Sequence, residues 1–122
     1  MTNSVLLCDD ALFTRTMLKA IVEKAGFDVV GEADNGRKAV EQYAALRPRL
    51  VLMDIVMPDM SGIEAVREIR RLDPNACIVM CSAMGQAQLV EEAIAAGAIG
   101  FILKPFTASR VLERIADAGV FA

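Results

Sequence analysis

Histidine is absent from the 122 residues, and so is tryptophan. Without imidazole there is no His-based triad and no imidazole metal site. Any chemistry must run on carboxylates, hydroxyls and amines. Cysteine is scarce: Cys8, Cys77 and Cys81 are the three. Cys77 and Cys81 fall four residues apart in one predicted strand, about 13 Å along it. They can neither chelate one metal nor form a disulfide. All three read as small buried hydrophobes, and an odd count of free thiols predicts a reducing, cytoplasmic setting. Excess positive charge is lacking too: 13 basic against 16 acidic residues give a net charge of -3. That provides no electrostatic footprint for nucleic acid. No apolar run approaches the roughly 20 residues that span a membrane. The start, Met1-Thr2-Asn3-Ser4, has no basic region ahead of an apolar stretch, so no signal peptide is predicted. What remains is a globular composition, 55% hydrophobic and 24% charged, of a length that suits one domain over residues 1–122.

Strand and helix patterns alternate along that length. Strands are predicted over Ser4–Cys8, Asp28–Ala33, Leu50–Met53, Cys77–Cys81 and Ile99–Leu103. Four are continuous apolar runs, the signature of strands buried on both faces of a parallel sheet. The second is more polar and is expected at an edge. Between them lie helical spacings. The first covers Ala11–Ala25, with Met17, Leu18, Ile21, Val22 and Ala25 inward and Gly26 as its stop. The second covers Gly36–Leu46, capped by Asn35, with Val40, Tyr43 and Leu46 inward. Ser61 and Glu64 form a capping box for the third, whose inward face is Ile63, Val66, Ile69 and Leu72. The fourth covers Gln86–Ala96 and stops at Gly97. Thr107 caps the fifth, with Val111, Leu112 and Ile115 inward. Five βα units result, with crossovers expected to be right-handed. No stretch remains for a second domain. Val120 and Phe121 hint at packing or a contact.

Four strands end on chemically capable side chains: Asp9-Asp10, Asp54, Ser82 and Lys104. Parallel strands share one C-terminal edge, where open α/β sheets bind ligands. Each group has an ordinary role by itself. An aspartate complements a helix N-terminus, a serine suits a turn and a lysine suits solvent. Asp54, closing an apolar strand, is harder to dismiss. Three carboxylates at one edge repel one another and raise one another's pKa. A cation relieves that, and hard oxygen ligands without His or Cys point to Mg²⁺, which leaves room for waters and a phosphate. The Lys104 ammonium and Ser82 hydroxyl would stabilise a phosphoryl group there. No glycine-rich loop precedes a helix, so the phosphate is expected on a side chain rather than a nucleotide.

Asp9-Asp10, Asp54 followed by Met57-Pro58 and Ser61-Gly62, Ser82-Ala83 and Lys104-Pro105-Phe106 resemble, in order and spacing, the receiver domain of two-component response regulators. The resemblance spans the chain and is strongest to stand-alone chemotaxis regulators of the CheY type. It implies a flavodoxin-like, doubly wound α/β fold with five parallel strands in order 2-1-3-4-5 and five helices. It implies that Asp54 takes a phosphoryl group from a phosphohistidine on a histidine kinase. Asp10 and Asp54 would bind Mg²⁺ directly, Asp9 mainly through water, and the Val56 carbonyl would add a ligand. Lys104 would pair with phosphoryl oxygens, Ser82 would hydrogen-bond them, and Phe101 would be the switch aromatic, where the family often has Tyr. Lys104-Pro105 is expected to be cis. The implied protein is a monomeric switch rather than an enzyme. It would signal through the face of helix four, strand five and helix five to a downstream protein such as the flagellar motor switch, with a phosphatase as a further partner. A phosphorelay receiver, a receiver excised from a larger regulator and a metal-dependent phosphohydrolase are the alternatives. Val56 and Met84 are apolar where relatives with polar residues help to orient a water, so slow self-dephosphorylation is expected.

Overall fold

The computed structural model describes residues 3–122. Five strands form one parallel sheet in the order β2-β1-β3-β4-β5. They are β1 (Ser4–Cys8), β2 (Asp28–Ala33), β3 (Leu50–Met53), β4 (Ile78–Ser82) and β5 (Gly100–Leu103). Between and after them run α1 (Leu12–Lys24), α2 (Gly36–Leu46), α3 (Gly62–Leu72), α4 (Ala87–Ala96) and α5 (Ala108–Asp117). The expected topology, with polar β2 at an edge, is what the structure has. Among the described residues no helix is long and apolar enough to cross a membrane.

The apolar runs are continuous because each strand feeds two cores at once. Side chains alternate across a strand. Leu6, Val51, Met53, Ile78 and Met80 face one layer, where they meet Tyr43 of α2, Ile63, Val66 and Ile69 of α3 and Ala93 of α4. Val5, Leu7, Leu50, Leu52 and Val79 face the other, where they meet Leu18 and Val22 of α1 and Val111 and Ile115 of α5. β1, β3 and β4 are buried almost throughout.

Caps set where the helices start. Asn35 accepts a hydrogen bond from the Lys38 N–H at 2.8 Å, Ser61 from Glu64 N–H at 3.2 Å and Thr107 from Arg110 N–H at 3.1 Å. Each satisfies one of the orphan donors of a first turn. Several boundaries move inward from expectation. Ala11 and Gln86 are N-caps rather than helical residues, and Cys77 and Ile99 lie just before β4 and β5. Cys77 is therefore half-buried, unlike Cys8 and Cys81. Three residues expected inward are exposed: Met17, Leu46 and Leu72. Met17 sits one position before buried Leu18 and so points about 100° away from it. Leu46 and Leu72 are the last residues of their helices, where the apolar stripe leaves the sheet. Near the end of the chain Val120 is buried while Phe121 stays exposed.

The loop after β3 is held between two glycines. A side chain at Gly62 would overlap the Asp54 carbonyl oxygen, and one at Gly36 would overlap the Met60 carbonyl oxygen. The Gly62 N–H also donates to the Ile55 carbonyl at 2.8 Å. Backbone meets backbone here, so no side chain can move aside to make room. Gly62→Ala is expected to lower the unfolding free energy by at least about 2 kcal/mol in urea titrations.

Candidate functional site

The strand register brings the chemical groups together. Cys8 pairs with Met53 across β1 and β3, and Met53 pairs with Met80 across β3 and β4. The next residues, Asp9 and Asp54, therefore leave the sheet side by side, and the Asp54 N–H donates to the Cys8 carbonyl at 2.9 Å. On the other flank Ser82 pairs with Leu103, and the Lys104 N–H donates to the Ser82 carbonyl at 2.9 Å. Asp54 stands just beyond the central strand β3, with Asp9 and Asp10 beyond β1 on one side and Ser82 and Lys104 on the other.

The side chains interlock. The Lys104 ammonium lies 2.7 Å from Asp9 Oδ2 and 3.5 Å from Asp54 Oδ2. Asp9 Oδ1 accepts from the Ala11 N–H at 2.9 Å, and Asp54 Oδ1 accepts from the Ile55 N–H at 2.8 Å. Asp9 and Asp54 are buried while Asp10 is exposed. One oxygen from each of Asp9, Asp10 and Asp54 lies within 4.8 Å of the others. Three hard oxygen donors that close, with one in solvent, suit a divalent cation that keeps part of its water.

Burial, followed by repulsion from Asp9, pushes the Asp54 carboxyl above the usual carboxylate range, while Lys104 and the Ile55 N–H pull against this. For Lys104, burial disfavours the charge, but the Asp9 hydrogen bond and the Asp54 and Asp9 charges outweigh it, so its pKa is raised. The Cys81 thiol, behind the site, is pushed up to about 12, chiefly by burial. It stays protonated at neutral pH and takes no part.

Ser82 is buried, and its Oγ accepts from the Met84 N–H at 3.1 Å. Its own hydroxyl hydrogen is left to donate. Val56 and Met84 stand exposed beside the site, on the loops after β3 and β4. Phe101 is half-buried: it packs on the core of the α2–α4 layer and also lines a shallow pocket with Leu103, Pro105 and Phe106. The Lys104-Pro105 peptide is cis, as the family resemblance implies.

Two positioning features were not read from the sequence. One is the glycine pinch beneath Asp54. The other is Arg15 on α1, whose Nε donates to Glu32 Oε1 at 2.8 Å and whose Nη1 donates to the Asp9 carbonyl at 2.6 Å. An arginine one turn into an amphipathic helix reads as a surface residue. Its only sequence signal is a place on the same helical side as the aspartate turn.

The response regulator receiver domain family matches residues 5–116. The chain is 58% identical over 115 residues to the chemotaxis protein CheY of Thermotoga maritima, covering 94% of this chain and 96% of that protein. It is 56% identical over 115 residues to CheY of Bacillus subtilis, with the same coverage. Among solved structures it is similar to the CheX–CheY–BeF3–Mg²⁺ complex from Borrelia burgdorferi. That similarity has a TM-score of 0.92 and 38% identity, covering 96% of this chain and 89% of that one. The response regulator domain of Thermotoga maritima CheB gives 0.89 and 35%, covering 97% and 96%.

The raised Asp54 pKa makes a sign prediction for metal-free protein. A carboxyl whose folded pKa lies above its unfolded value contributes stability at low pH that is lost as pH rises through the folded pKa. Asp54 should therefore contribute a loss of urea stability as pH rises from about 4, set against the lowered Asp73 carboxyl, whose contribution has the opposite sign. Asp54→Asn should lack that component and show the higher urea midpoint at pH 7.

Proposed function

The chain belongs to the response regulator receiver family and is closely related to CheY chemotaxis regulators, and from that premise we propose that Asp54 is the phosphoacceptor of a chemotaxis switch. The observation that carries this reading is the place of Asp54 at the end of the central strand, between the other two carboxylates and the Ser82–Lys104 pair. An anionic group attached to Asp54 has the Ser82 and Lys104 donors on one flank, and on the other the carboxylates that would hold a cation.

In this reading a histidine kinase presents a phosphohistidine. A carboxylate oxygen of Asp54 attacks phosphorus, a P–O bond forms, and the P–N bond breaks with its electron pair returning to the imidazole, which takes up a proton. Asp10, Asp54 and the Val56 carbonyl would hold Mg²⁺, with Asp9 acting mainly through water. When bound, Mg²⁺ supplies positive charge that screens the carboxylates and the phosphoryl oxygens. Lys104 turns from Asp54 to the phosphoryl oxygens at little cost in distance, because it already stands 3.5 Å away. Ser82 donates its free hydroxyl hydrogen to the same group.

Ser82 ends β4 opposite Leu103 of β5, two residues beyond Phe101, so in this reading a shift of Ser82 is passed to Phe101 along the β4–β5 pair. Phe101 is poised between core and pocket, which suits a two-state element whose population phosphorylation changes. The α4–β5–α5 face is then what a downstream protein reads, with the flagellar motor switch as the first candidate. The Borrelia relative captured with CheX supports a CheX-like partner as a second contact.

The test is incubation with Mg²⁺ and acetyl phosphate. One acid-stable, base-labile phosphoryl group per chain is expected, and none on Asp54→Asn. Rapid multiple turnover of phosphomonoesters would instead mark a hydrolase and overturn the reading. The apolar side chains of Val56 and Met84 cannot orient a water for attack on the phosphoryl group, so its loss should be slow. A Val56→Asn, Met84→Glu double variant is expected to lose its phosphoryl group faster in pulse–chase measurements; a slower loss would reject this role for the two side chains.

A further inference from the structure

Of the three carboxylates, Asp9 and Asp54 are each tied to a backbone N–H and to Lys104. Among the described residues, nothing holds the Asp10 carboxylate by a hydrogen bond. The space its carboxylate can sweep is set by where the backbone places its Cα and by its own two side-chain torsions. The peptide joining Asp9 to Asp10 is planar, so the direction of the Asp9 carbonyl fixes the direction in which Asp10 leaves.

Arg15 holds that carbonyl. Its Nη1 donates to it at 2.6 Å while Nε donates to Glu32 at 2.8 Å. The guanidinium is a rigid plane, so two bonds from two of its nitrogens fix the plane as well as the distance. Glu32 lies on β2 in register with Leu7, and the Asp9 N–H donates to the Ala33 carbonyl at 3.0 Å. The aspartate turn is thus held to β2 on both sides of the Asp9 peptide. The Arg15 side chain is only 14% exposed, so losing either partner would leave a poorly solvated cation.

We infer that Arg15 is a positioning residue for the cation site: it pins the Asp9–Asp10 peptide against Glu32 and so keeps the Asp10 carboxylate within reach of Asp9 and Asp54. The inference rests on the reading of these carboxylates as Mg²⁺ ligands. A clamp that only joined α1 to β2 would affect stability alone, whereas a positioning residue changes cation affinity.

The experiment is calorimetric titration with Mg²⁺, alongside urea unfolding in chelator and acetyl phosphate labelling across a Mg²⁺ series. Arg15→Met is expected to raise the Mg²⁺ Kd about tenfold, as outer-shell losses at metal sites do. Labelling should shift to correspondingly higher Mg²⁺. Arg15→Lys keeps a donor without the fork and should fall between wild type and Arg15→Met. Arg71→Met, at the end of α3, should leave the Kd unchanged and controls for loss of an arginine charge. An Arg15→Met Kd within about twofold of wild type, whatever its stability, would overturn the inference. Should Arg15→Met not fold, Glu32→Ala releases only the far tether. It is expected to raise the Kd about threefold, and a Kd equal to wild type overturns the inference equally. A wild-type chain that neither binds Mg²⁺ nor labels overturns the underlying reading instead.

Discussion

The Lys104 ammonium, 2.7 Å from Asp9 and 3.5 Å from Asp54, is what lets buried carboxylates stand side by side. Two unit charges about 4 Å apart interact by about 4 kcal/mol at an effective dielectric of about 20. That is a large share of the roughly 5–15 kcal/mol that holds a domain of this size together. Carboxylates this close are tolerable only with positive charge between or beside them. The ammonium supplies it from the β5 side. The rest of the structure serves this balance. Two apolar layers fix the five strands, the strands fix the register, and the register places each charged group at the end of its run.

The sheet was legible because its signal is redundant. Runs such as Leu50-Val51-Leu52-Met53 are apolar at every position because alternate residues enter different cores. Few arrangements besides a sheet covered on both faces produce that pattern. Helix faces were less legible at their margins. Met17, Leu46 and Leu72 are as apolar as their buried neighbours, and only the rotation or ending of the helix exposes them. Hydrophobic spacing says which side of a helix faces inward, not how far along it the partner surface extends.

The site divides in the same way. Asp9, Asp10, Asp54, Ser82 and Lys104 were visible because each interrupts or ends an apolar run. The features that hold them in place were not. Arg15 looks like any helical arginine, and Gly62, though part of the family motif, shows nothing in sequence of the backbone it must pass. Their roles come from approaches between segments distant in sequence: Arg15 to Glu32, and the end of β3 to the start of α3. Local pattern cannot report a contact whose other half lies elsewhere in the chain. Histidine's absence, by contrast, was informative at once, since it leaves the phosphohistidine of the proposed reaction to a partner.

Asp9 and Lys104 are separated by 95 residues. The three carboxylates are already encoded just after β3, but the Lys104 ammonium that pairs with Asp9 and Asp54 arrives only after β5. During synthesis, the acidic half of the site exists well before the basic half. Long-range pairings of this kind form late, because the loop must close before the contact can reward it. The centre is therefore assembled only in a chain whose last strand has docked, and any opening that frees β5 dismantles it. In the proposed reading, a chain whose β5 has not docked holds the acidic groups without the ammonium that would meet a phosphoryl group beside them.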